Sequence, residues 1–286
     1  MNRILVVIVT YNGMQWLERC LDSVFSSNVP ADVFVCDNGS TDSSADFIAD
    51  RYPSVFLVRS EVNLGFAKAN NIGLKHALEK GYDYVYLLNQ DAWVQPDTFG
   101  KLIDGFGSGR WGILSPMQMR PDMVTLDKRF KRHYHGPVEP TDEVSSVRFV
   151  MAAHWMVSSE CLKKTGLFSP AFSHYGEDNN FCDRARYHGF GIGVVPSAVG
   201  IHDRQDRKRS KAQRIYLNCQ YSKVCLSNPG SSFLLQSIWQ PLRQCLMALR
   251  WFSVQPVKNI PDLIKDYPSL REWRKESLSD GAFVNR

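Results

Sequence analysis

An α/β fold, with a mainly parallel sheet flanked by helices and a helical C-terminal extension, is what this sequence predicts. Three observations carry that prediction. Over the first hundred residues, short apolar runs rich in β-branched residues alternate with segments of helical period, the pattern of β-α units feeding a parallel sheet. Polar residues gather where the runs end, at Thr10-Tyr11-Asn12, Asp37-Asn38-Gly39-Ser40 and Asn89-Gln90-Asp91, and open parallel sheets bind ligands at those carboxyl ends. Beyond His202 the chain turns basic and then into long helical segments.

The first run, "ILVVIV" (4 to 9), is continuous, as in a strand buried on both faces. Leu17, Cys20, Leu21, Val24 and Phe25 then recur at helical spacing. "DVFVCD" is the second strand, followed by the helix "TDSSADFIADRY", with Thr41 or Asp42 available as its cap. "SVFLVR" is the third strand and "GFAKANNIGLKHALEKG" a helix closed by Gly81. "YVYLLN" is the fourth strand, and "PDTFGKLIDGF" a helix with Pro96 near its start. "WGILSP" extends the sheet. Residues 117 to 146 lose periodicity and read as an excursion. "VRFVMAAHWMVS" restores a strand pattern, "GEDNNFCDRARYHGF" is a helix ended by Gly189, and "GIGVVP" is a short strand. Residues 1–215 form one expected domain and residues 216–286 a helical extension.

The chain has 286 residues, 44% of them hydrophobic, which is ample for a core. Seven scattered cysteines without a C-x-x-C pair argue against a disulfide framework or zinc site and for reduced thiols. The N-terminal apolar run is too short for a signal peptide or membrane span, so a cytoplasmic protein is expected. Charge is uneven. From residue 203 onward there are 15 Lys and Arg against 7 Asp and Glu, whereas residues 1 to 202 hold 19 against 22. A basic tail on a mildly acidic body points to an anionic partner. The segment "SSFLLQSIWQPLRQCLMALRWF" is apolar but interrupted, too polar to span a bilayer. It suits an amphipathic helix on an anionic membrane surface, peripheral to the inner face of the membrane, or a face packed on the body or on a second copy.

After the first strand, "TYNGMQW" has neither the G-x-G-x-x-G of a dinucleotide fold nor a P-loop. A bound diphosphate would then be neutralised by a carboxylate-held divalent cation, Mn²⁺ or Mg²⁺, which prefer oxygen ligands. "VTYNG", "CDNGSTD", "NLGFAKANNIG", "LLNQDA" and "HYGEDNNFCDRARYHGFGIGVVP", in this order, resemble family 2 glycosyltransferases of the GT-A fold, most closely the bacterial rhamnosyltransferase-like group. The resemblance spans roughly residues 3 to 215. It implies an inverting enzyme that takes a sugar from a nucleotide-diphosphate donor, dTDP-rhamnose or a UDP-sugar. The acceptor would be a hydroxyl of a glycan or polyprenyl-diphosphate-linked molecule in cell-envelope polysaccharide assembly, and no nucleic acid polymer is implied.

By the same resemblance, Asp37 accepts from the imide N–H of uracil or thymine, with Thr10, Tyr11, Asn12 and Asn38 around the base. Asp42 reads as a cap. Asn63, Lys68 and Asn71 border the nucleotide pocket, where Gly65 ahead of a helix permits close approach. Asn89-Gln90-Asp91 occupies the place of the family's D-x-D-like motif. Asn89 replaces the first acid: it can bond a sugar hydroxyl but brings no charge. Asp91 and His202 are then the metal ligands. In Glu177-Asp178, the second acid corresponds to the general base and Glu177 orients the acceptor; Trp155, beside His154, is a further acceptor contact. Arg204, Arg207, Lys208, Arg209 and Lys211 form a basic loop over the diphosphate. Two alternatives stand beside this reading: a sugar-phosphate nucleotidyltransferase, which the missing phosphate loop opposes, and a degenerate donor-binding subunit, which the Glu177-Asp178 pair opposes.

Overall fold

The computed structural model describes residues 2–108, 111–204 and 209–286; Arg207 and Lys208 of the expected basic loop lie outside the described residues. The chain runs β1 (Ile4–Thr10), α1 (Met14–Phe25), β2 (Asp32–Asp37), α2 (Ser44–Arg51), β3 (Phe56–Arg59), α3 (Phe66–Lys80), β4 (Tyr84–Asn89), β5 (Ala92–Val94), α4 (Thr98–Gly105) and β6 (Trp111–Met119). It continues through β7 (Ser145–Ser146), β8 (His154–Ser158), α5 (Ser159–Thr165), α6 (Glu177–Tyr187) and β9 (Gly191–His202). α7 (Lys211–Ser227) runs across the expected 215/216 boundary, and α8 (Phe233–Trp251), α9 (Gln255–Lys258), α10 (Ile260–Lys265) and α11 (Tyr267–Glu276) follow it.

The described strands form one sheet in the order β3-β2-β1-β4-β8-β6-β9-β5, with β7 paired to β9. The half from β3 to β4 is entirely parallel, as the β-α alternation requires. The other half is mixed: β8 is antiparallel to both β4 and β6, β9 is parallel to β6, and β5 is antiparallel to β9. One face is covered through Leu17, Cys20, Leu21, Ile48, Phe99 and Leu102 of α1, α2 and α4. The other is covered through Ala67, Leu74, Leu162, Phe181 and Ala185 of α3, α5 and α6. Because both faces are covered, β1 reads as a continuous apolar run.

β9 is twelve residues long rather than a short strand. Its final pairing sets His202 opposite Ala92, which brings the far end of the chain's last strand beside Asp91. The extension is stitched to the body. Leu167 N donates to Ala282 O at 2.9 Å, Gly281 N donates to Lys164 O at 3.0 Å, and Ala282 and Phe283 belong to the main core. Gly166 has φ +77°, and a Cβ there would lie 1.9 Å from Ala282 O, so only glycine admits this contact. All seven cysteines are free thiols.

Candidate active site

The site is built on the carboxyl ends of β1, β2 and β4. Gln90, the middle residue of the Asn-Gln-Asp segment, ties two of these ends together. Its Oε1 accepts from Thr10 Oγ1 (2.8 Å) and Tyr11 N (2.9 Å), and its Nε2 donates to Tyr11 O (3.3 Å). Asn12 takes a left-handed conformation (φ 48°) and its Oδ1 accepts from Thr41 N at 2.8 Å, so it shapes the turn after β1. The N-cap of α2 is Ser43 rather than the expected Thr41 or Asp42; Asp42 lies one residue ahead of it, its Oδ1 accepting from Ser44 N at 3.0 Å.

At the end of β2, Asp37 is buried. Its Oδ2 accepts from Ser40 N at 3.3 Å, whereas its Oδ1 is without a partner among the described residues. A buried lone pair left unsatisfied is costly, so this strand-end carboxylate retains a free acceptor. Asn38 Oδ1 accepts from Leu64 N (2.7 Å), and its Nδ2 donates to Asn63 Oδ1 (3.1 Å), which also accepts from Gly65 N (2.9 Å). These bonds fix the start of α3 against β2. Gly65 has φ +80°, and a Cβ there would lie 2.4 Å from Ser173 O, so the 173–176 loop closes tightly on it. Tyr11, Asn38, Asn63, Asn89, Asp91, Ser173 and His174 therefore line one cleft.

Asp91 belongs to the cleft lining, and its Oδ1 stands 3.3 Å from Nε2 of His202, which is buried and outside that lining. Asp203 N donates to Asp91 O at 2.8 Å, holding the β5–β9 corner closed. Burial alone would raise the Asp91 carboxyl, but the His202 hydrogen bond and charge and the nearby Arg204 outweigh it and hold it below the ordinary carboxylate range. His202 is buried and its Nδ1 has no partner among the described residues. No group of three or more His, Cys, Asp or Glu able to hold a metal ion occurs among the described residues.

The second acidic pair opens α6, directly after the Ser173–His174 stretch that lines the cleft. Gly176 (φ +100°) turns the chain so that Glu177 and Asp178 fall in the first helical turn, where the helix dipole favours negative charge. Glu177 is buried with its Oε2 unpartnered among the described residues. Burial first, and then the charge of Asp178, push its carboxyl up to about 8. Asp178 is half-buried, and its Oδ1 accepts from Asn179 N (2.8 Å) and Asn179 Nδ2 (3.0 Å). Burial raises Asp178 as well, against the pull of those bonds and of Arg204. Two neighbouring carboxyls that resist ionising together are suited to dividing one proton between them.

Residues 5–164, more than half of the chain, match the family described as Glycosyl transferase family 2. The chain belongs to this family. It is thus a glycosyltransferase, and the nucleotidyltransferase alternative falls away. An N-acetylglucosaminyl-diphospho-decaprenol L-rhamnosyltransferase of Mycobacterium tuberculosis is 27% identical over 231 residues, covering 69% of this chain and 75% of the relative. Among solved structures, S. aureus TarS 1-349 in complex with UDP matches with a TM-score of 0.63 at 17% identity, covering 98% of this chain and 83% of that one. The mannosyltransferase PcManGT of Pyrobaculum calidifontis, in complex with GDP-Man and Mn²⁺, matches with a TM-score of 0.57 at 19% identity, covering 96% of this chain and 72% of that one. Those two likenesses bear out the GT-A fold.

Within the glycosyltransferase, three expected site residues, Trp155, Asn71 and Lys68, are corrected. Trp155 is fully buried in β8, its indole Nε1 donating to Val150 O at 3.1 Å and its ring set against Phe168 and Phe181. It is a core residue and offers no surface to an acceptor. Its neighbour His154 is equally enclosed, between Tyr86 Oη (2.8 Å) and Ile201 O (3.0 Å), and burial drives its imidazole down to about 3. Asn71 spends its amide on the backbone of Phe168, donating to the carbonyl (3.0 Å) and accepting from the N–H (2.8 Å), so it clamps α3 to the 167–173 segment. Lys68 is exposed on the first turn of α3, outside the cleft lining. Three further residues emerge: Gln90, the middle of the Asn89-Gln90-Asp91 motif and the clasp described above, and Asp127 and Arg129 of the excursion. Buried Asp127 Oδ2 accepts from Arg204 Nε at 2.7 Å and so anchors the start of the basic loop.

Proposed function

We propose that this glycosyltransferase moves a sugar, with inversion, from a nucleotide-diphosphate donor to a hydroxyl of a polyprenyl-diphosphate-linked glycan in bacterial polysaccharide assembly. dTDP-rhamnose or a UDP-sugar is the donor. The observation that carries the reading is the pair of acidic positions near one cleft: Asp91, in its lining and 3.3 Å from buried His202, and Glu177 with Asp178 at the start of the helix that follows the lining residues Ser173 and His174. The rhamnosyltransferase of M. tuberculosis and TarS with UDP support the choice of donor and acceptor.

Asp37 receives the imide N–H of the base, with Tyr11, Asn38 and Asn63 around it. Asn89 bonds a ribose hydroxyl without adding charge. Asp91 and His202 would hold Mn²⁺ or Mg²⁺, and their facing atoms fit that task. Neighbouring ligands of an octahedral cation with bonds of about 2.1 Å lie about 3 Å apart, close to the 3.3 Å found. With only two protein donors, the remaining positions go to diphosphate oxygens and water. When bound, the cation offsets charge on the departing diphosphate. Asp178 removes the acceptor hydroxyl's proton as that oxygen attacks the anomeric carbon. Glu177 keeps its own proton at neutral pH and donates a hydrogen bond to the acceptor.

α8 supports a membrane surface as the second partner. It is inside out: its buried residues are Gln240 and Gln244. Gln244 Nε2 donates to Ser222 Oγ at 2.8 Å, and Arg243 Nη2 donates to Asn218 Oδ1 at 2.7 Å, so the polar face packs on α7. Leu234, Leu235, Ile238, Leu242, Leu249 and Phe252 face outward, Leu249 at 73% and Phe252 at 94% exposure. Residues 207–261 carry nine Lys or Arg and no Asp or Glu. An apolar stripe with uncompensated positive charge fits an anionic lipid interface, and no helix among the described residues is long and apolar enough to cross the bilayer.

A thermal-shift panel of nucleotide sugars with and without Mn²⁺ tests the donor assignment, since a ligand of the native state raises the melting temperature. A dTDP- or UDP-sugar should give the largest shift, and greater with Mn²⁺. No shift with any donor would overturn the proposal.

A further inference from the structure

Gln90 grips the backbone of Tyr11 by both of its polar groups. The parallel ladder between β1 and β4 ends at Val9 opposite Asn89. Beyond it the Gln90 side chain takes over from the backbone. Its Oε1 accepts from Tyr11 N at 2.9 Å and its Nε2 donates to Tyr11 O at 3.3 Å, much as the amide of a further strand residue would. The same Oε1 accepts from Thr10 Oγ1 at 2.8 Å. The chain then folds back over this amide. A Cβ on Gly13 would lie 2.3 Å from Gln90 Oε1 and 2.6 Å from Thr10 Oγ1, so the turn closes on the clasp with room for glycine alone.

Both sides of the clasp face the cleft, since Tyr11, Asn89, Gln90 and Asp91 all belong to its lining. Asn89 and Asp91 are fixed by chain next to β8 and β9: Asn89 N donates to Ala153 O at 3.2 Å, and Asp91 O accepts from Asp203 N at 2.8 Å. Tyr11 is 44% exposed, so packing holds its ring little and its place follows from the bonds around its backbone. On one side Asn12 N donates to Ser40 Oγ at 3.0 Å, which ties the turn toward β2. On the other side the tie to β4 is the Gln90 amide.

We propose that Gln90 is a positioning residue for the donor. It keeps Tyr11 at a set offset from Asn89 and Asp91, so that the nucleoside and the diphosphate of one nucleotide meet their contacts together. A site held ready in this way loses less affinity to the ordering of its own groups on binding. Gln90 acts through Tyr11, its amide being taken up by the clasp. The proposal rests on the reading of this cleft as the nucleotide-diphosphate site.

The test is calorimetric titration of UDP and dTDP, at one fixed Mn²⁺ concentration, into the full chain and three variants. Gln90→Met keeps the length of the side chain and removes the clasp. Gly13→Ala leaves Gln90 in the sequence and displaces its amide with the added methyl. The third variant combines the two. Each single change should weaken the nucleotide that the wild type binds by about tenfold or more, as expected when several hydrogen bonds that hold a site ready are lost. The combined variant should be no weaker than the weaker single one, because both changes break the same clasp. Wild-type affinity in Gln90→Met, even with a lowered melting temperature, would leave Gln90 a purely structural residue and overturn the proposal. Losses that multiply in the combined variant would overturn it as well. Gln90→Glu, which keeps the acceptor oxygen and sets a second oxygen against Tyr11 O, should weaken binding likewise and stands in for a variant that does not fold. A wild type that binds neither nucleotide would overturn the donor reading itself. Equal binding by the wild type and Gln90→Met would overturn the role of the clasp alone.

Discussion

Replacing Glu177 by Gln should stabilise the protein, and increasingly so as pH rises. Glu177 is buried with one oxygen unsatisfied among the described residues, and its carboxyl is displaced from an ordinary 4.5 to about 8, first by burial and then by Asp178. In the unfolded chain the same group ionises near its ordinary value. Between these limits the native state holds a proton that the unfolded state has lost, so stability falls as pH rises, by about 1.4 kcal/mol per pH unit. The contribution is fully present below pH 4.5 and is lost as pH climbs through 8. Summed over that window, the wild type gives up on the order of 5 kcal/mol that the neutral amide keeps. Urea unfolding of both proteins at pH 5, 6, 7 and 8 measures this. The curve of the variant should be flatter, and the gap between the two should widen with pH. Parallel curves would mean that Glu177 titrates normally, and the argument that it stays protonated at neutral pH would collapse.

Asp178→Asn should lower kcat by about 10²- to 10⁴-fold, the usual worth of a general base, with the nucleotide Kd unchanged by calorimetry; loss of nucleotide binding would remove the assignment. His202→Ala should weaken Mn²⁺ binding about tenfold or more, read by electron paramagnetic resonance without any turnover. Arg184 is fully buried and donates to Thr165 O, Leu167 O and Asn180 Oδ1, so Arg184→Met should cost on the order of 3–5 kcal/mol in urea unfolding by stranding those acceptors. Ile238→Glu with Leu242→Glu should abolish flotation on anionic vesicles at an unchanged melting temperature, because both side chains are exposed. A wild type that stays unbound on such vesicles, or that sediments as a dimer through α8, would replace the membrane by another partner.

The parallel half of the sheet was legible because its chemistry is local. β1, β2 and β4 are apolar runs closed by polar residues, and each connecting helix shows its period or its cap. The mixed half was not. β9 contains Pro196, Ser197 and Gly200, which break the strand pattern, and its register against β6 shifts between Pro116 and Met117. β5 has only three residues, too few for any period. The places of Asp37 at the end of β2 and Asp178 at the start of α6 were readable, since each follows a local strand or helix signal. Trp155 misled because a Trp amid strand residues looks the same whether its ring meets solvent or core; Val150 O, which satisfies its N–H, is supplied by a turn that no pattern announces. Asp127 and Arg129 were illegible for the opposite reason, being ordinary charges in an irregular segment whose partner, Arg204, arrives from far along the chain.

Ala282 and Phe283 complete the hydrophobic core around Leu167 and Arg184, yet α8 lies between them and the strands in sequence. The core beside the Glu177–Asp178 helix therefore cannot lock until the chain has passed through the helix with the exposed apolar stripe and returned. A fragment cut at residue 215 would leave that side of the core open and Gly166 facing water. The last residues of the described chain thus close the core beside the helix that carries Glu177 and Asp178, after α8 in chain order.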